Sequence, residues 1–149
     1  MSRTLKPSHI AQSIAVSAVF ATATGFVNAQ TVIKIGHVAP LTGNQAHLGK
    51  DNENGARLAI EDLNEKKIKI GGQEVKFELL PEDDGADPKQ GTAVAQKLVD
   101  AKVAGVIGHL NSGTTIPASK IYFEAGIPQI SPSATNPKYT MQGLSLIHI

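Results

Sequence analysis

The feature that most constrains the fold is an alternation of short apolar runs with longer amphipathic segments after residue 30. Mostly apolar runs at 32–38 and 103–107 predict buried strands. The alternating residues 75–80 predict a further strand between them, and residues 127–130 predict a fourth. The spacing of apolar residues between them predicts helices at 46–67, from Pro88 onward and at 114–124. The order βαβαβαβ with short connections predicts an α/β fold, a parallel sheet with helices on both faces.

The helical segments carry side chains that predict how they begin and which face they bury. Asp87 is expected to cap the second helix, because a carboxylate accepts from its first free N–H groups and Pro88 suits the first helical position. The apolar stripe of the first helix is expected at Ala56, 58–60 and Leu63. In the second helix the core-facing residues are expected to be Val94, Leu98 and Val99.

Residues 1–29 have the pattern of a cleavable export signal. Arg3 and Lys6 precede an apolar run at 14–27, and Val27 and Ala29 occupy the two positions that a signal peptidase reads. The run is too short and too rich in Ser and Thr for a membrane anchor, which needs roughly 20 apolar residues. The sequence therefore predicts a mature chain that starts at Gln30 and lies outside the cytoplasm.

Composition excludes several classes of function. The chain has no cysteine, which excludes disulfides, thiolate catalysis, Cys-ligated zinc and an N-terminal lipid anchor on Cys. Residues 30–149 contain 12 basic and 13 acidic side chains, so nothing suggests the basic face that a nucleic-acid partner requires. The histidines outside the leader show no metal-ligand spacing, so neither a metal nor a cofactor is expected.

The loops at the carboxyl ends of the predicted strands are the candidate binding surfaces, because ligands of open parallel sheets bind there. They span 39–50, 108–113 and 131–137. The second runs into a helix start, where unpaired N–H groups favour an anion. Ser112 offers a hydroxyl and Gly113 permits close approach. The alternative for Ser112 is that it only caps its own helix.

The third loop has acceptors suited to an ammonium group. Thr135 and the backbone carbonyls of 131–137 can accept hydrogen bonds, and Pro132 and Pro137 reduce the conformational entropy of the loop. Composition alone leaves an ordinary polar turn as the simpler alternative.

Other chemical motifs fail on spacing or context. Residues 43–50 depart from a phosphate-binding loop, and the acidic residues 82–84 do not fit a calcium loop. We interpret residues 82–87 as a solvated connection with a helix cap. His109 and Ser112 could be imagined as base and nucleophile, but they lack the nucleophile-elbow context, so catalysis is not expected.

Five motifs, taken together and in order, resemble the leucine/isoleucine/valine-type periplasmic substrate-binding proteins of ABC transporters. The resemblance runs from Ile33 to about Gly143. The motifs are Ala-Pro-Leu-Thr-Gly at 39–43, Gly-Ala-Arg-Leu-Ala at 55–59, Asp-Asp with Asp-Pro-Lys-Gln at 83–90, Val-Ile-Gly-His-Leu at 106–110 and Ser-Pro-Ser-Ala-Thr at 131–135.

The resemblance implies a type I periplasmic binding protein whose two lobes close on a ligand, with 30–143 forming an incomplete first lobe and the second lobe missing. It implies that Ser112, beside Gly113, and Thr135 bind the α-carboxylate of an amino acid. Thr135 and the main chain at Ser133 would meet its ammonium group. Two further residues would lie beside the ligand, Ala134 and Leu48.

Departures from the family pattern are also informative. A disulfide present in some members falls at positions matching Ala86 and Asn111 and cannot form here. Leu48 replaces a frequent aromatic residue, which leaves the side-chain preference open. Residues 144–149 do not resemble the family and match one translation frame of a transposase-end sequencing adapter, so we interpret them as a non-native tail.

The function that the resemblance implies is capture of branched-chain or related amino acids in the periplasm. The implied partners are the amino acid and the membrane permease of an ABC transporter. The first alternative is a periplasmic solute sensor of the same fold, for amides or other small acids. A less favoured alternative is an α/β hydrolase.

Overall fold

The computed structural model describes residues 30–144. The predicted export signal and residues 145–149 of the predicted tail lie outside the described residues. The chain forms five strands, three α-helices and one 3-10 helix within the described range. In order they are β1 (Thr31–Ala39), α1 (Ala46–Glu65), β2 (Lys69–Ile70), β3 (Gln73–Asp83), α2 (Pro88–Asp100), β4 (Gly105–Gly108), α3 (Ser112–Glu124), β5 (Gln129–Ile130) and η1 (Pro137–Tyr139).

The strands form one sheet in the order β2-β3-β1-β4-β5. β1 is central and pairs in parallel with β3 and β4, and β5 pairs in parallel with β4. Ala39 lies opposite Asp83, and Val38 lies opposite Gly108. The connections that follow these three strands therefore leave from the same edge of the sheet, as the sequence predicts.

One strand is missing from the sequence-based prediction. Lys69–Ile70 folds back antiparallel onto the start of β3, through a turn at Gly71 and Gly72. Both glycines have positive φ, 59° and 83°, a conformation that glycine adopts without steric cost. A two-residue strand is too short to produce a recognisable periodicity, so the sequence pattern did not indicate it.

The helices cover both faces of the sheet. A Cβ added at Gly36 would meet Leu98 of α2, whereas the neighbouring Ile35 lies beside Ala59 and Ile60 of α1. Successive residues of a strand point to opposite faces, so α1 and α2 lie on opposite sides of β1. The core on the α2 and α3 side contains Val38, Ala95, Leu98, Val103, Val106, Ala118, Tyr122 and Ile127.

The predicted burial of the helices is largely confirmed, with two errors. Leu98 is buried, and Val94 and Val99 pack against the core around it. Ala56 and Ile60 of α1 are buried. Leu58 is 60% exposed because it faces away from the sheet, and Ala59 is exposed because it lies along an open apolar cleft. Beside α1 lies an apolar cleft of about 230 Å³, bounded by Ile35, Ala59, Ile60, Leu63, Phe77, Gly105, Val106, Ile107, Pro128 and Ile130.

The helix starts differ in how well the sequence predicted them. Asp87 caps α2 by accepting a hydrogen bond from the Gln90 N–H at 2.8 Å, and Pro88 is the first helical residue, as predicted. α3 begins at Ser112 rather than Thr114, so the predicted loop 108–113 is shorter than expected. Among residues 30–144, none of the helices is both long and apolar enough to cross a bilayer.

Candidate ligand-binding site

Three connections meet at the carboxyl edge of the sheet. Asn111, after β4, donates its side-chain amide to Gln45 Oε1, before α1, at 2.8 Å. After β5, Ser133 Oγ donates to the Leu110 carbonyl at 2.9 Å. Asn136 N–H donates to Ser112 Oγ at 3.2 Å. These hydrogen bonds join the start of α1, the start of α3 and the loop 131–136 into one surface.

The start of α3 has no side-chain cap. Asn111 is the residue before the helix, and its side chain makes no capping hydrogen bond because it is directed to Gln45. Ser112 is the first residue of the helix, and its Oγ accepts from the loop 131–136. The interpretation that Ser112 only caps α3 is therefore wrong. The first N–H groups of a helix have no partner within the helix and favour an anion.

Gly113 lies in the first turn of α3 and is exposed. A Cβ added at this position would have no heavy atom within 4 Å. The packing of the described residues therefore does not require glycine here. Its small size keeps the beginning of the helix accessible from outside.

A buried chain of hydrogen bonds lies beneath this edge. His109 Nδ1 is 2.9 Å from Asp84 Oδ2, and His109 Nε2 is 3.2 Å from the Tyr122 hydroxyl. All three residues are 0% exposed. Because an ionised Asp84 can only accept, the Nδ1 of His109 is its donor, and in a neutral imidazole Nε2 then accepts from Tyr122.

Asp84 carries the negative charge of this buried group, whereas Tyr122 remains neutral. Burial raises the pKa of Asp84, but hydrogen bonds from His109, the Ala86 N–H and Thr114 outweigh it, so the pKa lies below its usual value. Burial, followed by the charges of Asp84 and Glu82, raises the pKa of the Tyr122 hydroxyl. The phenol therefore stays protonated and can serve as the donor to His109.

The main chain of His109 is a second point of attachment. Its carbonyl accepts hydrogen bonds from Thr115 Oγ1 at 3.1 Å and from Ser131 Oγ at 2.6 Å. Ser131 Oγ in turn accepts from the Ala134 N–H at 3.0 Å. His109 thus holds both α3 and the loop that contains Ser133, Ala134 and Thr135.

The acidic residues after β3 are structural anchors, contrary to the solvated connection that the sequence suggested. Asp83 accepts from the Leu41 N–H at 2.7 Å and from Thr42 Oγ1 at 2.6 Å. Burial raises the pKa of Asp83, but hydrogen bonds from Thr42, Gly85 and Leu41 lower it overall. Asp84 is fully buried, and a buried carboxylate requires a hydrogen-bond partner, which His109 supplies.

The predicted ligand residues divide into two groups. Ser112, Gly113 and the residues of loop 131–136 are connected directly, with Ser112 and Ala134 half-buried and Gly113, Ser133 and Thr135 exposed. Leu48 is 46% exposed on the first turn of α1. Its position relative to the others is set through Gln45, one turn earlier.

Two sets of interacting residues at this edge were not identified from the sequence. The chain Asp84–His109–Tyr122 and the pair Gln45–Asn111 join positions 13 to 66 residues apart, and nothing local in the sequence indicates such pairs. Within residues 30–144, no cluster of three or more His, Asp or Glu side chains could hold a metal ion. The arrangement offers instead an accessible helix start, hydroxyl groups and backbone N–H and C=O groups.

The sheet and its edge define a class, the binding lobe of an α/β ligand-binding protein. The family model for periplasmic binding proteins matches residues 32–143, and the chain belongs to that family. Leu/Ile/Val-binding protein homolog 1 of Brucella abortus is 46% identical over 112 residues, which are 75% of this chain and 29% of the relative. The resemblance inferred from the sequence motifs is thus confirmed.

Solved structures lead to the same fold. A branched-chain amino acid transporter substrate binding protein from Streptococcus pneumoniae, in complex with isoleucine, matches with a TM-score of 0.70 and 32% identity, covering 79% of this chain and 33% of that one. An ABC transporter solute binding protein from Rhodopseudomonas palustris, in complex with 3,4-dihydroxybenzoic acid, matches with a TM-score of 0.67 and 25% identity. The match covers 78% of this chain and 31% of that one. The predicted type I binding-protein lobe is therefore confirmed, and the chain spans about three tenths of the length of its relatives.

Proposed function

We propose that this chain forms part of the substrate-binding component of an ABC transporter and captures branched-chain or related amino acids in the periplasm. A membrane permease would receive the loaded protein, and the chain itself would catalyse no reaction. The observation that carries the proposal is the hydrogen bond between Asn136 N–H and Ser112 Oγ. It joins the uncapped start of α3 to the loop with the second set of predicted ligand residues.

The chemistry of these groups suits an α-carboxylate. Ser112 Oγ acts as an acceptor towards Asn136, so its own hydroxyl hydrogen remains available to a ligand oxygen. The nearby N–H groups at the start of α3 add partial positive charge. Hydrogen bonds to a charged group contribute about 1.5–3 kcal/mol each.

The ammonium group would find acceptors on the loop 131–136. Ser133 is exposed, and its side chain is occupied by the Leu110 carbonyl, so its contribution to a ligand would come from the main chain. The exposed Thr135 has a hydroxyl that can accept from an ammonium or donate to a carboxylate. Ala134 and Leu48 would contribute apolar surface beside the ligand.

A second candidate keeps the carboxylate and changes the rest of the ligand. Isoleucine and 3,4-dihydroxybenzoic acid, the ligands of the two structural neighbours, both contain a carboxylate, but only the amino acid contains an ammonium group. A sensor or transporter of aromatic or other small acids would therefore use Ser112 and the start of α3 and need little from Thr135.

Calorimetry on the intact protein with leucine, isoleucine, valine and 3,4-dihydroxybenzoate tests the proposal. Ser112→Ala is expected to weaken amino-acid binding by about 1–3 kcal/mol, the value of a hydrogen bond to a charged group. Gly113→Ala is expected to weaken binding too, because its methyl group would occupy the open approach. The same change is expected to preserve or raise thermal stability, since alanine favours a helix over glycine by up to about 1 kcal/mol.

Ser119→Ala is the matched control. Ser119 lies on the same helix, and its hydroxyl contacts Ile116 and Gln142 rather than the candidate site, so its loss should cost stability and leave affinity unchanged. Unaltered affinity in both Ser112→Ala and Gly113→Ala would contradict the proposed site. Binding of the benzoate alone would favour the small-acid alternative.

A further inference from the structure

The buried residues Asp84, His109 and Tyr122 belong to three different parts of the chain, yet they converge under the candidate site. Asp84 follows β3, His109 follows β4 and Tyr122 is in the second half of α3. Their polar atoms are 2.9 Å and 3.2 Å apart along the chain of hydrogen bonds, and none of the three is exposed. Such a group is costly to bury unless every member is paired.

No candidate ligand residue touches these side chains, so their effect on a ligand would be indirect. The link is the main-chain carbonyl of His109, which accepts from Thr115 of α3 and from Ser131 of the following loop. Ser131 also receives the Ala134 N–H. Loss of the ring's hydrogen bonds would therefore loosen the His109 backbone, to which the structures that bear Ser112 and residues 133–135 are attached.

We propose that Asp84, His109 and Tyr122 are positioning residues for the amino-acid site, and that they fix the loop after β4 and through it the loop after β5. This proposal rests on the proposed function of the same edge. Asp84 holds the imidazole in the Nδ1–H tautomer, which makes Nε2 the acceptor for Tyr122. The tautomer thus determines the ring orientation, and the two ring hydrogen bonds hold the His109 residue, and with it the loop after β4, in one position.

Tyr122→Phe is the sharpest variant, because it removes one hydroxyl and keeps the aromatic ring in the core. His109 Nε2 would then be a buried acceptor with its partner lost, and the ring would gain freedom to reorient. In the intact protein, calorimetry with leucine is expected to show binding at least ten-fold weaker than wild type. Ser119→Ala, which also deletes a buried hydroxyl on α3, is expected to bind within two-fold of wild type at a similar loss of melting temperature.

A spectroscopic measurement gives a second test that needs no ligand. Correlation of the imidazole ¹⁵N and ¹H resonances is expected to show the Nδ1–H tautomer of His109 in wild type. In Asp84→Asn the amide can donate as well as accept, so the preference for that tautomer should be lost. A role in packing alone would leave the tautomer unaffected.

The outcomes separate this proposal from the proposed function. Weak binding by Tyr122→Phe together with normal binding by Ser119→Ala supports it, whereas wild-type affinity in Tyr122→Phe or an Nε2–H tautomer in wild type overturns it. If wild type binds none of the ligands, the proposed function fails. Hydrogen exchange of the Ala134 amide then decides: faster exchange in Tyr122→Phe supports the positioning role, and unchanged exchange overturns it.

Discussion

The loop after β4 and the loop after β5 lie side by side at the candidate site, but they are held in different ways. The first is anchored from below by side chains that are fully buried, above all His109. The second is mostly exposed and is held by hydroxyl groups and by Pro132 and Pro137. Buried hydrogen bonds define one geometry, whereas exposed ones compete with water. The first loop therefore behaves as a frame and the second as the part that can adjust to a ligand.

Among the variants that test this difference between the two loops, Asp84→Ala is expected to have the largest effect on stability. The change leaves the Nδ1–H of His109 buried and unpaired, and it also removes the acceptor for the Ala86 N–H. We expect the free energy of unfolding of the intact protein to fall by about 3 kcal/mol, the upper range for an unsatisfied buried group. Urea denaturation followed by circular dichroism measures it.

The acid dependence of stability provides the control for that variant. The folded-state pKa of Asp84 is below its usual value, so its stabilising effect is complete at neutral pH and is lost as pH falls through the lowered pKa. Wild type should lose stability progressively below about pH 4, and Asp84→Ala should lose less over the same range. Parallel pH curves for the two proteins would mean that Asp84 does not anchor the frame.

An intermediate effect is expected at the bond between the two loops. Ser131→Ala removes the hydroxyl that donates to the His109 carbonyl and accepts from the Ala134 N–H. The expected loss is about 1–2 kcal/mol of stability, because two hydrogen bonds disappear at a buried position. Amide exchange should quicken at Ala134 and stay unchanged at Thr115. Equal acceleration at both residues would show that the two loops are one unit.

The smallest effect is expected from Pro132→Ala in the exposed loop. Alanine enlarges the conformational freedom of the unfolded chain and lowers stability by about 0.4–1 kcal/mol. Because the frame is untouched, the Ser112 end of the site should keep its geometry, and ligand affinity should decrease slightly through the ordering of the loop. Calorimetry measures the affinity and thermal melts measure the stability. The same measurements on Thr92→Ala, a substitution on the distant helix α2, serve as the control.

Local patterns predicted the elements well where one stretch of chain determines the outcome. The Asp87 cap and the buried Leu98 follow from spacing within a single helix, and the parallel pairing of β1, β3, β4 and β5 follows from the alternation of strands with helices. The positions of the loops at the strand ends and the family motifs together supplied the candidate ligand residues, whose roles remain a prediction. The start of α3 was placed two residues late, since the low helix propensity of Gly113 favoured assigning Ser112 and Gly113 to the preceding polar loop.

The parts that the sequence did not predict depend on distant partners. In the sequence, Asp84 is one of several acidic residues in a polar connection. Its burial results from the pairing of the strands, which brings the residues after β3 and β4 together and places Asp84 beside His109. Leu58 fits an apolar stripe by type, but its side of α1 faces away from the sheet and is exposed. β2 depends on a turn that folds two residues back onto β3. Such outcomes are set by tertiary contacts, which local periodicity does not encode.

The apolar cleft beside α1 also affects how this polypeptide behaves at high concentration. One of its lining residues is Ile130, which is 44% exposed on β5, an edge strand of the described sheet. An edge strand with free backbone groups next to apolar surface is a template for pairing with another chain. Residues 30–144 produced alone should therefore self-associate as concentration rises, which light scattering would detect. The substitution Ile130→Lys is expected to suppress this association.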